Sequence, residues 1–281
     1  MCKTVFQNKR RPQRENKSLY NKYLFKSQTL KDLSDITKLS KRTIQKKLDK
    51  VIPKKIIETP QKVVLTMDVT FFERKYGVLV FRSQSQKKNI YWTQVDTETV
   101  EAYVKGRHVI EAKGYEIEAI VIDGKKGVKE AFKDIPVQLC QFHQMKAVTK
   151  YLTRKPKLEA GQKLREIMLK LAKSTEINFT RELNDWYREW GDYINQQTRD
   201  EETKKWFYTH GRIRSAYLSM RNNIGYLFTF ERYPNLKIPN TTNSLDGTFS
   251  HLKRRINIHR GLRQDRRYKM IEAYLSGESS V

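Results

Sequence analysis

The sequence predicts a mixed α/β domain that contains a helical insertion and follows a small all-α domain. Two apolar, β-branched runs, at 62–68 and 119–123, each end in an aspartate, which is typical of buried strands that stop at a polar edge. Strand-like and helix-like segments alternate from 62 to 140, and this alternation favours a sheet covered by helices. Helical periodicity then extends over 144–222.

The composition indicates a polyanionic partner. The 281 residues include 57 Lys and Arg against 31 Asp and Glu, a formal net charge of +26, and basic side chains bind phosphate backbones by releasing counterions. Two cysteines are too few for a disulfide framework, which favours a cytoplasmic location. The sequence has neither an apolar run of membrane-spanning length nor a signal-peptide core, so we expect no membrane partner.

Residues 1–28 form a basic segment. Cys2, followed by Phe6 and by a basic run at 9–11, is similar to the last knuckle of a zinc ribbon. One cysteine cannot complete a zinc site by itself, so an ordinary N-terminal cysteine stays an open alternative.

Residues 29–52 are predicted to form a helix-turn-helix DNA-binding domain. Thr29 and Asp32 make a capping-box pattern for the first helix, and Ser40 can cap the second. A helical hairpin with a solvated basic side is the alternative. Four side chains of the second helix are candidates for contacts in the DNA major groove: Lys41, Arg42, Gln45 and Lys46.

A linker is predicted at 53–61, because prolines stand near both of its ends. The segments after it are predicted as strands 62–68, 76–82, 89–95, 117–122 and 137–140, and as helices 98–112 and 125–132. This β-β-β-α-β-α-β order is that of the ribonuclease-H-like fold. Such a fold would place Asp68 and Asp123 on adjacent strands of one mixed sheet.

Residues 146–222 are predicted as a helical insertion in a domain formed by 62–145 and 223–281. Large aromatic side chains recur along the insertion, and they include Trp206 and Phe207. Burial in the core is the expectation for such side chains, and base stacking is the alternative.

A third carboxylate, Asp246, is predicted on a helix that follows a short strand at 226–230. It lies beside an apolar stripe formed by Leu245, Phe249, Leu252 and Ile256. Asp68 and Asp123, at one edge of a rigid sheet, could share a divalent cation. Alternatively, each of these two aspartates only caps a turn.

Four motifs together make the sequence similar to the mutator-type DDE transposases of bacterial insertion sequences. They are the strand-end Asp68, the VIDG of 121–124, the CQFH of 140–143 and the TTNSLDGTFSHLKRR of 241–255. One departure is that the family has Glu where this chain has Asp246, although aspartate also binds hard cations. Glu231 is the reserve candidate for the third acid.

The resemblance implies a DNA transposase that uses Mg²⁺ or Mn²⁺ to cleave and transfer DNA strands. Asp68 would bridge two ions, and Asp123 and Asp246 would each complete one. Three residues would support the active site: Cys140, His143 and Asn243. Three basic residues would contact DNA phosphates: Lys253, Arg254 and Arg255.

The partners implied by the resemblance are double-stranded DNA, both as terminal inverted repeats and as target, and further copies of the chain on that DNA. Two other functions stay open. A helix-turn-helix protein without catalysis, either decayed or repurposed, would explain the charge but not the paired aspartates. A ribonuclease-H-like nuclease for RNA or Holliday junctions would explain the aspartates but not the N-terminal domain.

Overall fold

The structure is a computed structural model that describes residues 12–52, 59–259 and 261–277. The zinc-ribbon hypothesis at Cys2 and most of the predicted linker, residues 53–58, lie outside the described residues. Within the described residues, no helix has the length and apolarity that crossing a bilayer requires.

The chain divides into two compact units, Met1–Thr59 with Gly247–Val281 and Pro60–Asp246. This division differs from the predicted one, which assigned 223–281 to the catalytic domain. The physical reason is the apolar face of the last helix, on which Met270 and Ala273 are buried in the same core cluster as the N-terminal helices.

The smaller unit contains α1 (Pro12–Leu24), α2 (Leu30–Thr37) and α3 (Lys41–Asp49). Thr29 Oγ1 accepts a hydrogen bond from the Asp32 backbone N–H at 3.2 Å, and the Asp32 carboxylate accepts one from the Thr29 N–H at 2.8 Å. This confirms the predicted capping box. Ser40 Oγ accepts from the Thr43 N–H at 3.2 Å and caps α3 as predicted.

Helix α1 lies in the segment that was predicted only as basic. Its buried stripe consists of Leu19, Tyr20, Tyr23 and Leu24, and this spacing is that of one helical face. The stripe shares a core cluster with Leu33 of α2 and with Ile44 and Leu48 of α3, so the two predicted helices belong to a larger bundle.

The larger unit is a mixed α/β structure built on a five-stranded sheet. Its strands are β1 (Lys62–Glu73), β2 (Tyr76–Ser83), β3 (Lys88–Val95), β4 (Glu116–Ile122) and β5 (Val137–Leu139). Their order across the sheet is β3-β2-β1-β4-β5. Strand β2 is antiparallel to both neighbours, whereas β1, β4 and β5 run parallel. The five predicted strands are therefore confirmed.

The prediction that the first strand ends at Asp68 is wrong, because β1 continues to Glu73. Asp68 pairs with Val80 of β2, and the antiparallel ladder extends to Glu73 and Tyr76. The parallel ladder with β4 already stops at Thr66. Asp68 therefore lies beyond the end of the parallel pairing but inside its own strand.

Further helices follow along the chain, and the last of them belongs to the smaller unit. They are α4 (Val100–Ala112), α5 (Val128–Ala131), α6 (Gln141–Leu152), α7 (Glu159–Lys170), α8 (Glu176–Asn195), α9 (Gly211–Leu227), α10 (Thr229–Arg232), α11 (Asn243–Ile258) and α12 (Gln264–Leu275). The predicted strand at 226–230 is wrong, since α9 and α10 occupy it. The backbone groups of residues 226–230 form hydrogen bonds within these helices. The Thr229 Oγ1 donates to the Val137 carbonyl at 2.7 Å.

A two-stranded hairpin interrupts the helical insertion at β6 (Gln197–Arg199) and β7 (Trp206–Tyr208). The expected burial of Trp206 and Phe207 is wrong, because these side chains are 64% and 50% exposed. Other large aromatic residues follow the prediction, since Phe179 and Trp186 of α8 are buried in the main core. The hairpin has a single pair of short strands, so each of its faces has little to pack against.

Strand alternation separates the side chains of the sheet onto two faces. Val63, Leu65 and Met67 belong to the main core cluster, which also contains Tyr103 and Ile110 of α4. The opposite face carries Val64, Ala119 and Val121, which cluster with Ile238. Asp68 follows Val64 by four residues and Asp123 follows Val121 by two, so the alternation assigns both aspartates to this second face. The segment around Ile238 and the two aspartates therefore lie on one side of the sheet.

We predict that an alanine at Gly106 destabilises the larger unit. An added Cβ would lie 2.2 Å from Phe81 Cζ in the core, so Gly106→Ala should lower the free energy of unfolding by about 1–3 kcal/mol. Gly225→Ala is the matched control in α9, where an added Cβ meets nothing within 4 Å. That control should raise the free energy of unfolding by up to ~1 kcal/mol. Urea unfolding measures both values, and equal values for the two variants would contradict the assigned contact.

Candidate active site

Asp68 and Asp123 occupy equivalent positions on neighbouring parallel strands. The last pair of the β1–β4 ladder is Thr66 with Val121, and each aspartate lies two residues further along the chain, Asp68 inside β1 and Asp123 directly after the end of β4. Parallel strands are roughly 4.8 Å apart, so both carboxylates reach the same edge of the sheet. The Asp68 Oδ1 accepts from the Val69 N–H at 2.7 Å, and the Asp123 Oδ1 accepts from the Lys125 N–H at 3.1 Å.

Asp246 is in the first turn of α11, and long-range hydrogen bonds fix the segment before it. The Gln141 N–H donates to the Asn240 carbonyl at 2.9 Å, and Asn240 Nδ2 donates to Gln141 Oε1 at 3.0 Å. Gln84 Nε2 donates to Ser244 Oγ at 2.9 Å and also to Thr66 Oγ1 of β1. The beginning of α11 is thus attached to α6 and to the strand that carries Asp68.

Thr242 connects the predicted support residues with the third acid. Its backbone N–H donates to the buried Cys140 Sγ at 3.3 Å. Its hydroxyl lies 3.2 Å from His143 Nδ1 and 3.3 Å from Asp246 Oδ2. A hydroxyl has one proton and two lone pairs, so it can accept from a protonated Nδ1 while it donates to the Asp246 carboxylate.

The same cluster shifts the proton affinities of Cys140 and His143. Burial raises the pKa of the Cys140 thiol, but hydrogen bonds from His143 and Thr242 outweigh it and leave that pKa below its usual value. The hydrogen bond to Cys140 raises the pKa of His143 against the effect of burial, and the charges of Asp246 and Asp68 contribute. A protonated imidazole is therefore favoured next to the carboxylates.

The carboxylates repel one another at the edge of the sheet. Burial raises the pKa of Asp68 to about 7, and the charges of Asp123 and Asp246 add to that effect. The hydrogen bond from the Val69 N–H and the positive charge of His143 oppose it. The surroundings of Asp68, which is 7% exposed, therefore stabilise its charged form poorly.

Glu98 is a fourth carboxylate at this edge, and it was not among the predicted site residues. Tyr103 Oη donates to Glu98 Oε1 at 2.8 Å, and Lys125 Nζ lies 3.9 Å from Oε2. Burial raises the pKa of Glu98, the Tyr103 hydrogen bond lowers it, and the charge of Asp123 raises it further. No motif marks this residue in the sequence, and only the folded position of the segment before α4 brings it close.

The residues fit a hard divalent cation by their chemistry. Asp68, Asp123 and Asp246 offer only carboxylate oxygens, which suit Mg²⁺ and Mn²⁺. A bound cation would also relieve the repulsion that raises the pKa of Asp68. Among the residues that the structure describes, however, no group of three or more His, Cys, Asp and Glu side chains is arranged to hold a metal ion. The three acids are close, but they are not in a ligating arrangement.

Two other predicted residues lie outside this cluster of contacts. Asn243 is exposed at the start of α11, and Thr242 rather than Asn243 contacts Asp246. The Glu231 carboxylate accepts from the Glu176 backbone N–H at 3.1 Å, which satisfies a free N–H at the first turn of α8. Glu231 therefore has a structural role there, and Asp246 is the acid that interacts with Asp68.

The predicted DNA-contacting residues of α3 are mostly on its surface. Lys41, Arg42 and Lys46 are exposed, and Gln45 is partly buried. The Gln45 Nε2 donates to Asp49 Oδ1 at 3.1 Å, so this amide already has a partner within its own helix.

The three basic residues predicted on α11 differ in their surroundings. Arg254 is exposed and Lys253 is partly buried. Arg255 Nη1 donates to the Leu24 carbonyl at 2.9 Å and also to the Phe25 carbonyl. These carbonyls at the end of α1 need partners, so Arg255 joins the helices of the smaller unit. Its contact with a DNA phosphate stays a prediction.

No protein-family model matches the chain, and no curated protein is significantly similar to it. A family is therefore not assigned by these comparisons.

We predict that replacing Asp68 with asparagine stabilises the protein at alkaline pH when no divalent cation is added. A carboxyl whose pKa is raised from 3.8 to about 7 binds its proton more tightly in the folded state, so stability falls as the pH rises from about 4 to about 7. Asp68→Asn removes this loss and keeps an oxygen that can accept from the Val69 N–H. At pH 8 it should exceed the wild type by on the order of 4 kcal/mol, and the difference should disappear near pH 4.

Urea unfolding at several pH values measures this difference. Asp192→Asn is the control, because Asp192 is an exposed carboxylate of α8. Parallel stability curves for Asp68→Asn and the wild type from pH 4 to pH 8 would show that Asp68 is not destabilised by its surroundings.

Proposed function

We propose that the chain is a metal-dependent DNA transposase that binds the terminal inverted repeats of an insertion sequence and cleaves and transfers DNA strands. The observation that carries the proposal is the convergence of Asp68, Asp123 and Asp246 at one edge of the sheet. Two of these acids come from adjacent parallel strands and the third from the first turn of α11. Their mutual repulsion contributes to the raised pKa of Asp68.

The topology of the larger unit supports a ribonuclease-H-like catalytic domain. The strand order is β3-β2-β1-β4-β5 with β2 antiparallel to its neighbours, which is the arrangement of that fold. The chain between β5 and α11 consists mainly of helices, as expected for an insertion before the third acid. The resemblance to mutator-type DDE transposases remains part of the proposal.

The chemistry needs no protein nucleophile. Divalent cations, when bound, would activate water or a DNA 3′-hydroxyl and stabilise the leaving oxygen. Asp68, Asp123 and Asp246 would hold the cations. Thr242 would orient Asp246 through the hydrogen bond to Oδ2 at 3.3 Å, and a protonated His143 would place positive charge beside the carboxylates and the scissile phosphate.

DNA recognition is assigned to the smaller unit. The two helices α2 and α3, joined by the short turn that ends at the Ser40 cap, would form a helix-turn-helix with α3 in the major groove. Its exposed Lys41, Arg42 and Lys46 provide the basic surface. Because two element ends must be held together, at least two copies of the chain would assemble on the DNA.

A second candidate is a DNA-binding protein that has lost catalysis. The observation that favours it is that the acids of the described residues are not in a metal-ligating arrangement, in a chain whose third acid is Asp246 where the resembled family has Glu. The charge of +26 and the exposed basic residues of α3 would serve this function equally well.

The test is strand cleavage of a labelled duplex that carries the terminal inverted repeat flanking the gene, with Mg²⁺ or Mn²⁺. Asp68→Asn, Asp123→Asn and Asp246→Asn should each lower the cleavage rate by at least 10²-fold, because removal of a single charge-stabilising group in an active site costs about 10²–10³ in rate. Asp192→Asn, which changes an exposed acid of α8, should cleave as the wild type does.

Each alternative gives a different outcome in this assay. Loss of cleavage in Glu231→Gln with full activity in Asp246→Asn would assign the third ligand to Glu231. Specific binding of the repeat without cleavage under either metal would contradict the transposase and support the non-catalytic protein. Binding should then still fall when Arg42 is replaced with alanine.

A further inference from the structure

The hairpin formed by β6 and β7 presents three consecutive aromatic side chains to solvent. Trp206, Phe207 and Tyr208 are 64%, 50% and 37% exposed. Exposing several large aromatic groups on one short element is costly, and contiguous exposed apolar surface often marks an interaction site. Nothing in the proposed hydrolytic chemistry uses these residues.

Strand register places basic groups on the same face as two of the aromatic rings. Arg199 is directly opposite Trp206, and Gln197 is opposite Tyr208. Because side chains alternate between faces, Trp206 and Tyr208 share one face with Arg199. The Arg214 guanidinium of α9 lies 3.9 Å from the centre of the Tyr208 ring. We call these four residues, Arg199, Trp206, Tyr208 and Arg214, the hairpin face.

The hairpin is held in place at its base. Arg214 Nε donates to Asn195 Oδ1 at 3.2 Å. The ring of His210 stacks on that of Tyr193 with centroids 3.7 Å apart. The Thr209 N–H donates to the Gln196 carbonyl at 2.9 Å. The aromatic rings are thus presented on an ordered support, which lowers the entropy cost of binding.

We infer that the hairpin face binds unpaired bases of DNA, with Trp206 as the main stacking surface. This inference rests on the proposed function, because the occupant is the DNA on which the transposase would act. Aromatic side chains stack on any base, and neighbouring guanidinium groups contact the phosphates and the π-faces. Both groups occur on the hairpin face, and the chain as a whole has a net charge of +26.

Three acidic residues in the turn lie at the other end of the hairpin: Asp200, Glu201 and Glu202. The Asp200 carboxylate accepts from the backbone N–H groups of Thr203, at 2.6 Å, and Glu202, at 3.0 Å, so its charge closes the turn. Lys204 and Lys205 follow in the same turn and are exposed, and Arg199 pairs with Trp206 at the turn end of the ladder, so basic groups border the hairpin face at both of its ends.

The test is fluorescence anisotropy with labelled single-stranded oligothymidine. Trp206→Ala should raise Kd about tenfold, since loss of one aromatic stacking partner has an effect of this order, and Trp206→Phe should restore most of the affinity. Tyr233→Ala is the matched control, because Tyr233 is 45% exposed and lies outside the hairpin. Its Kd should equal that of the wild type.

Salt dependence separates stacking from charge. Arg199→Gln should reduce the slope of log K against log salt by about 0.7, the value for one phosphate contact on a single strand. Trp206→Ala should leave the slope unchanged while it lowers the affinity. Equal Kd values for Trp206→Ala, Tyr233→Ala and the wild type would overturn the inference. So would a loss of self-association in Trp206→Ala with unchanged oligothymidine binding, because the face would then bind a second copy of the chain.

The outcome is independent of the cleavage assay. Binding that depends on Trp206, in a protein that cuts no DNA, would support the hairpin face and contradict the transposase. Cleavage that depends on Asp68, together with oligothymidine binding that is unchanged in Trp206→Ala, would support the transposase and contradict DNA binding by the hairpin face.

Discussion

Strand β1 forms ladders of different length with its two neighbours, and the candidate site depends on this difference. The antiparallel ladder to β2 continues to Glu73, whereas the parallel ladder to β4 stops at Thr66. Asp68 is therefore held in a regular strand at a point where β4 no longer covers it. Strand alternation directs Asp68 and Asp123 to the same face of the sheet. Repulsion between two carboxylates is tolerated there because the sheet leaves neither strand free to move away.

The position of the third acid, Asp246, depends on side-chain amides and one hydroxyl rather than on the sheet. Gln84 and Gln141 attach the segment before α11 to β1 and α6, and Thr242 links Cys140, His143 and Asp246. Buried polar groups of this kind are favourable only when their partners are all present. The position of Asp246 is consequently set by contacts between residues that are far apart in the chain.

The elements of the fold that are determined by neighbouring residues could be predicted from the sequence. The capping box at Thr29, the Ser40 cap and the five strands could be read from spacing and β-branched composition. The helix α1 and the hairpin at Trp206 could not, because charged residues obscured the first and aromatic residues favoured a buried helix for the second. Glu98 and Gln84 reach the site only through tertiary contacts, so no pattern in the chain marks them. The end of β1 was misplaced because the length of a strand is decided by its partner.

The most direct measurement is anomalous diffraction from a crystal of the protein grown with Mn²⁺. If the three acids form one cation site, an anomalous peak should lie within roughly 2.0–2.6 Å of carboxylate oxygens of Asp68 and Asp123, with Asp246 drawn into the same site. A peak at other residues only, or no peak at saturating Mn²⁺, would contradict a shared cation at the edge of the sheet.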